Sequence, residues 1–226
     1  MWVKAIAIDG PSAAGKSTVA KRVAEALNFQ YIDTGAMYRA LTWKALENHI
    51  NVEDSEAVGE MASESKVRLV KGKEGIMVLL DDVDVSKEIR EPLVTKNVSA
   101  VSMSAKARAA MVEQQRQMAA EGGVVMDGRD IGTHVLPQAQ LKIFLTATPL
   151  ARAERRHLDW CEKGILMPLK EIEFDLARRD HLDSTREISP LMKADDAVLL
   201  DTTNMDIDAV AERILQLWEG RAAHVL

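Results

Sequence analysis

One stretch near the N-terminus restricts the possible folds more than the rest of the chain. Ala5-Ile6-Ala7-Ile8 is a continuous apolar run, as expected of a strand buried on both faces of a parallel sheet. It leads into Asp9-Gly10-Pro11-Ser12-Ala13-Ala14-Gly15-Lys16-Ser17-Thr18, which satisfies Gly-x-x-x-x-Gly-Lys-Ser. Val19, Ala20, Val23, Ala24 and Leu27 then recur at helical spacing. Strand, glycine loop and helix in that order make a P-loop. Gly10 and Gly15 permit a tight turn. The backbone N–H groups of the turn and the positive end of the helix dipole form a socket for a phosphate chain. Residues 10–18 are therefore expected to bind a nucleoside triphosphate, with Lys16 on its β- and γ-phosphates. Ser17 is expected to offer its hydroxyl to Mg²⁺.

The rest of the chain alternates between strand and helix signals. Core strands are predicted at 28–32, 122–126, 141–145 and 196–201, joining the first to give five. Helices are predicted at 36–48, between 89 and 101 with a break near Pro92, from Ser104, from Pro149, from Pro168 to Asp180, and at 207–219. Residues 51–66 read as a polar connection with a short helix. Between 67 and 85 the pattern changes to short runs, 67–70, 76–80 and 83–85, separated by turns at 71–75 and at Asp81-Asp82. That is an antiparallel meander set into a βα chain. Lys163-Gly164 should end one helical segment, and Asp183-Ser184-Thr185-Arg186 should be a polar loop. The expected fold is α/β of the P-loop NTPase type: a five-stranded parallel sheet with helices on both faces, plus a small antiparallel three-stranded insert.

Charge narrows the chemistry. The formal net charge is -6, which argues against general nucleic-acid binding. The single cysteine, Cys161, allows no internal disulfide and no cysteine cluster for zinc. No apolar stretch is long enough to cross a bilayer, and no leader is expected ahead of the first strand, so a soluble cytoplasmic protein is expected. Within this acidic chain, arginines gather where strands end: Arg39, Arg108, Arg129, Arg152, Arg155, Arg156, Arg179 and Arg186. Arg39 reads either as a solvated charge or as a fork for a phosphate, and Asp33 or Thr34 reads as a helix cap. The cluster Asp127-Gly128-Arg129-Asp130 reads either as a turn closed by its own Asp–Arg salt bridge or as a ligand site. Arg152, Arg155 and Arg156 share one helical face and repel one another unless an anion or a solvated environment relieves them. With so many arginines and no histidine beside the P-loop, the acceptor is expected to be a phosphate, which needs no general base because it is already ionised at neutral pH.

These residues resemble the bacterial cytidylate kinases, nucleoside monophosphate kinases for CMP and dCMP. The resemblance covers nearly the whole chain. It rests on residues 8–17, on Asp33-Thr34-Gly35-Ala36-Met37-Tyr38-Arg39, on Asp127-Gly128-Arg129-Asp130-Ile131-Gly132, and on residues 179–186. It implies transfer of the γ-phosphoryl of ATP to CMP or dCMP, with Mg²⁺, by a monomeric enzyme without a nucleic-acid or membrane partner. Residues 1–226 would be one kinase domain, residues 34–100 its monophosphate-binding region, and residues 150–168 a helical lid over ATP. Arg39, Arg129 and Arg186 would hold the CMP phosphate. Ser99, Arg108 and Asp130 would read the base, and Arg179 and Asp183 would meet the sugar, with Arg178 an alternative to Arg179. Thr34 and Tyr38 would complete the CMP site. Lys16, Arg129, Arg152 and Arg156 would act on the transferring group. Thr34 stands where relatives often carry serine, and Ser17 where they often carry glycine; both positions have a hydroxyl here. A kinase for UMP or an alcohol, or a nucleotide-dependent switch protein, are the other readings.

Overall fold

The computed structural model describes residues 3–72, 75–162 and 164–222. The elements in chain order are β1 (Val3–Asp9), α1 (Lys16–Leu27), β2 (Gln30–Asp33), α2 (Thr34–Glu47), α3 (Ser55–Ser63), β3 (Val67–Gly72), β4 (Gly75–Leu80), β5 (Val83–Asp84), α4 (Pro92–Val101), α5 (Ala105–Ala119), β6 (Val124–Gly128), β7 (Ala139–Thr146), α6 (Pro149–Cys161), α7 (Leu169–Thr185), β8 (Val198–Asp201) and α8 (Ile207–Ala222). Lys73 and Glu74 of the expected turn, and Lys163 of the expected helix break, lie outside the described residues. The chain divides into two compact units, one running through Tyr31 and resuming at Gly122, the other Ile32–Glu121.

The first unit is built on the five-stranded sheet, in the order β2-β6-β1-β7-β8. The β1–β6, β1–β7 and β7–β8 pairs are parallel. The apolar run of β1 is explained by its place at the centre of the sheet. Ala5, Ile6, Ala7 and Ile8 are fully buried, as are Val125 and Met126 on one side and Leu141 and Leu145 on the other. From β1 the chain crosses to β2 on one side, while β7 and β8 lie on the other. A parallel sheet opens a crevice at such a reversal, beyond the carboxyl ends of its strands. The P-loop lies there. Asp9, the last residue of β1, accepts from the Ile131 and Gly132 amides, each at 2.8 Å. These belong to a single wide helical turn, Ile131–Val135, that the sequence pattern did not reveal. Trp218 of α8 meets Phe29 edge-on, with centroids 5.4 Å apart.

The second unit holds α2 to α5 and the three-stranded antiparallel sheet β3-β4-β5. Its core gathers Met37, Leu41 and Ala45 of α2, Val58 and Ala62 of α3, Val78 and Leu80 of β4, and Ala107 and Met111 of α5. Local capping fixes where its helices begin. Asp33 accepts from the Ala36 amide, Asp54 from Glu56 and Ala57, and Ser104 from Ala107. Pro92 opens α4 at a position where a missing N–H costs nothing.

One expected loop is helix. Residues 183–185 continue α7 instead of leaving it. Short polar side chains suggest a loop, but here Thr185 Oγ1 donates to His181 O at 2.7 Å and Ser184 Oγ to the same carbonyl at 3.1 Å. The buried carboxylate of Asp183 also has an arginine partner that holds the final turn in place.

Candidate active site

The loop 10–15 turns on three residues with positive φ: Gly10 at 145°, Ala13 at 60° and Gly15 at 88°. At Gly10 the constraint is steric as well. A Cβ there would lie 2.0 Å from Leu145 O, a backbone atom of the neighbouring strand. Gly15 has open space around it, so its φ alone requires glycine. Ala13 takes its left-handed conformation with a side chain, at a cost of about 1–2 kcal/mol. It packs against Ala153, Ile172 and Leu176 of α6 and α7, which hold the strained residue in place.

Lys16 is buried, and its Nζ donates to Pro11 O at 2.6 Å, across the mouth of the loop. Burial, with Arg129 and Arg179 nearby, holds its pKa well below the usual lysine value; Asp127 and Asp9 oppose this in part. An anion in the loop would reverse that balance. Ser17 is exposed at the start of α1, and its Oγ donates to Asp127 Oδ2 at 2.9 Å. Asp127 is buried at the end of β6, and its other oxygen accepts from Tyr31 OH at 2.7 Å. A hydroxyl and a carboxylate on neighbouring elements are a hard oxygen donor set. Such a pair suits Mg²⁺, which takes few protein ligands and keeps several waters. The sequence reading gave Asp127 no such role. The available signal was its place at the end of the strand beside β1.

Beyond β6 lie two buried charge pairs. Arg129 Nε donates to Asp183 Oδ2 at 2.8 Å, and Arg186 Nη2 to Asp130 Oδ1 at 3.4 Å. The charged residues of the Asp127–Asp130 turn take partners from other elements. Asp127 is held by Ser17 and Tyr31, Asp130 by Arg186, and Arg129 reaches across to α7. Burial by itself would lower the Arg129 pKa, but the charges of Asp183, Asp180 and Asp127 hold it above its usual value. Burial would likewise raise Asp183, yet Arg129 and Arg179 bring it below the carboxylate range. Asp9 goes the other way. Burial raises its pKa to about 7, although the two backbone amides favour its charged form. Of the two arginines considered for the sugar, Arg178 is exposed and pairs loosely with Asp175 at 3.9 Å; Arg179 is half-buried, on the side of Lys16 and Asp183.

On α6 the three arginines find different surroundings. Arg152 is buried against Asp180, Ala147 O and Ser12 O. Arg155 donates to the hydroxyl and carbonyl of Thr202. Arg156 is half-buried. Asp180 and the carbonyl groups of Ala147, Ser12 and Thr202 therefore relieve the repulsion expected on this face.

The second unit carries its own group of expected residues. Thr34 is buried as the first residue of α2. Arg39 Nη2, nearly two turns into α2, donates to Oδ2 of the cap residue Asp33 at 3.2 Å. Tyr38 and Arg108 are both buried, with the guanidinium 5.5 Å from the ring centroid. Arg108 Nη1 also donates to Ser102 O at 3.5 Å, and Ser102 Oγ to Ser99 O at 2.8 Å. This places Ser99 next to the Arg108 anchor, at the end of α4.

Among the described residues, no helix is long and apolar enough to cross a membrane. A family model described as Cytidylate kinase matches residues 6–220. The chain is 51% identical over 215 residues to a cytidylate kinase of Bacillus cereus, covering 95% of this chain and 96% of that one. It is 52% identical over 216 residues to a cytidylate kinase of Lysinibacillus sphaericus, covering 96% of each. Among solved structures, a shikimate kinase from Bacteroides thetaiotaomicron aligns over 95% of this chain and 98% of its own, at 16% identity and a TM-score of 0.48.

Proposed function

From the premise that this chain belongs to the cytidylate kinase family, we propose that it moves the γ-phosphoryl of ATP onto CMP or dCMP, giving ADP and CDP or dCDP. The observation that carries this reading is a buried arginine–aspartate array beside an intact phosphate loop in the same unit. Two anions must be brought together without a general base, so the protein's task is to offset their repulsion and align them.

Residues 10–18 take the ATP phosphates, with Lys16 on the β- and γ-groups. Ser17, supported by Asp127, holds Mg²⁺, which when bound neutralises charge between the phosphates. Lys16 and Arg129 stabilise the transferring group, with Arg152 and Arg156 from α6 as the lid's contribution. In the first unit Arg129 and Arg186 grip the CMP phosphate, and Arg179 and Asp183 meet the sugar. Asp130 accepts from the cytosine amino group; uracil has a carbonyl there, which offers no donor and faces the carboxylate with a second acceptor. In the second unit Thr34, Tyr38 and Arg39 serve the phosphate, and Ser99 and Arg108 the base. Residues 34–100 act as the monophosphate-binding region. The enzyme works as a cytoplasmic monomer, which light scattering at micromolar concentration would test.

A coupled ADP-release assay with Mg²⁺ across CMP, dCMP, UMP and AMP tests the function. CMP and dCMP should turn over at least about 100-fold more efficiently than UMP, as expected where a site's buried polar group loses its partner. Equal use of UMP, or no use of CMP, would overturn the reading.

A further inference from the structure

The sequence reading gave Asp180 no role, yet it lies between the phosphate loop and α6. Its Oδ1 accepts from the Ser12 backbone N–H at 3.0 Å. Its Oδ2 accepts from Arg152 Nη1 at 2.5 Å. The same Arg152 nitrogen donates to Ser12 O at 3.0 Å, and Arg152 Nε to Ala147 O at 3.2 Å. Both backbone groups of Ser12 are thus held by one ion pair, and that pair is largely shielded from water, with side chains 9% and 19% exposed. The contact is placed where the loop most needs support. The next residue is Ala13, whose left-handed backbone is strained, and whose side chain rests on Ala153, Ile172 and Leu176. A polar clip and an apolar seat therefore fix the same two residues from α6 and α7.

We infer that Asp180 is a positioning residue for phosphoryl transfer, which locks Ser12 and Arg152 to each other so that the phosphate loop and the first α6 arginine are set as one piece. Asp180 touches no reacting atom. It acts through the loop, which must present its N–H groups within a fraction of an ångström, and through Arg152, whose guanidinium would otherwise explore many rotamers. Both carboxylate oxygens are needed because each meets a donor. An asparagine would turn its NH₂ group towards either the Ser12 amide or the Arg152 guanidinium, leaving a buried donor facing a donor. The inference rests on the proposed kinase activity for its kinetic readout and stands apart from it for its structural one.

The test compares wild type, Asp180→Asn, Asp180→Glu, Arg152→Lys and the double variant Asp180→Asn with Arg152→Lys, using the full chain. Asp180→Asn should lower kcat about 10- to 100-fold, as expected for misplacement by about an ångström. KM for CMP should stay within about two-fold, since uniform binding of the acceptor is untouched. Asp180→Glu, which keeps both oxygens, should recover more activity than the asparagine variant. In the double variant the two losses should not multiply, because each breaks the same clip. Amide exchange at Ser12 should be faster in Asp180→Asn. Wild-type kcat in Asp180→Asn, or losses that multiply fully in the double variant, would overturn the inference. Should Asp180→Asn fail to fold, Asp180→Ser, which removes the carboxylate without placing an NH₂ group against the two donors, carries the test, and unaltered Ser12 exchange together with wild-type kcat in it would refute the clip. If wild type leaves CMP unphosphorylated, the proposed function falls; the clip is then judged by Ser12 exchange and ATP affinity, and unchanged values in Asp180→Asn would refute it.

Discussion

Lys16 is a buried cation that donates to a carbonyl of its own loop, near two arginines. Its charge is costly there until an anion arrives. Triphosphate favours the protonated amine, so ATP should raise the Lys16 pKa and the complex should take up protons at alkaline pH. Calorimetry of ATP binding across the alkaline range, in two buffers of different ionisation enthalpy, should show net proton uptake. Lys16→Ala should abolish that uptake. Phosphate binding was legible at this scale because each motif residue meets a local requirement, as Gly10 does under Leu145 O. The partners of those residues were not legible. Ser17 meets Asp127, and Asp180 meets Ser12, across spans of 110 and 168 residues that no local pattern encodes.

At the scale of elements, two carboxylates tie helices and strands together with opposite responses to pH. Asp9 joins β1 to the wide turn after β6. Its pKa is raised from 3.8 to about 7, so the folded chain binds this proton more tightly than the unfolded chain does. The stability from that proton is complete below pH 3.8 and is lost as pH rises through about 7. Asp183 joins α7 to Arg129, just beyond β6, and its pKa is lowered. Its contribution is complete above the unfolded value of 3.8 and is lost as pH falls through the lower folded value. In Asp9→Asn the decline between about pH 5 and 7, at most about 1.4 kcal/mol per pH unit for one group, should disappear from urea-unfolding free energies. A persisting slope of the same size would assign it to other groups. The end of α7 was misread for a related reason: Ser184 and Thr185 look like loop residues until the Asp183–Arg129 pair is known, and that pair joins segments far apart in sequence.

For the whole molecule, the sheet and the insert were readable because each repeats a short-range rule. Continuous apolar runs marked the parallel strands, and alternation with turns marked β3 to β5. The division at Tyr31 and Gly122 was not readable, since β2 and the start of α2 run on without a linker. Each unit has apolar packing of its own. Leu41→Ala, a cavity in the core of the second unit, should cost about 2–5 kcal/mol by urea unfolding. ATP affinity in the folded variant should stay within about two-fold, because the phosphate loop belongs to the other unit. A large loss of ATP affinity would show that the two cores are coupled in solution.

Cys161 ends α6, exposed, with His157 Nε2 at 3.6 Å from its sulfur. It is the sole thiol in the chain. A maleimide dye or nitroxide will therefore attach at one defined point without any prior mutagenesis, and that point is on the helix carrying Arg152, Arg155 and Arg156. The native sequence thus supplies an anchor for watching this helix during turnover by fluorescence or spin resonance.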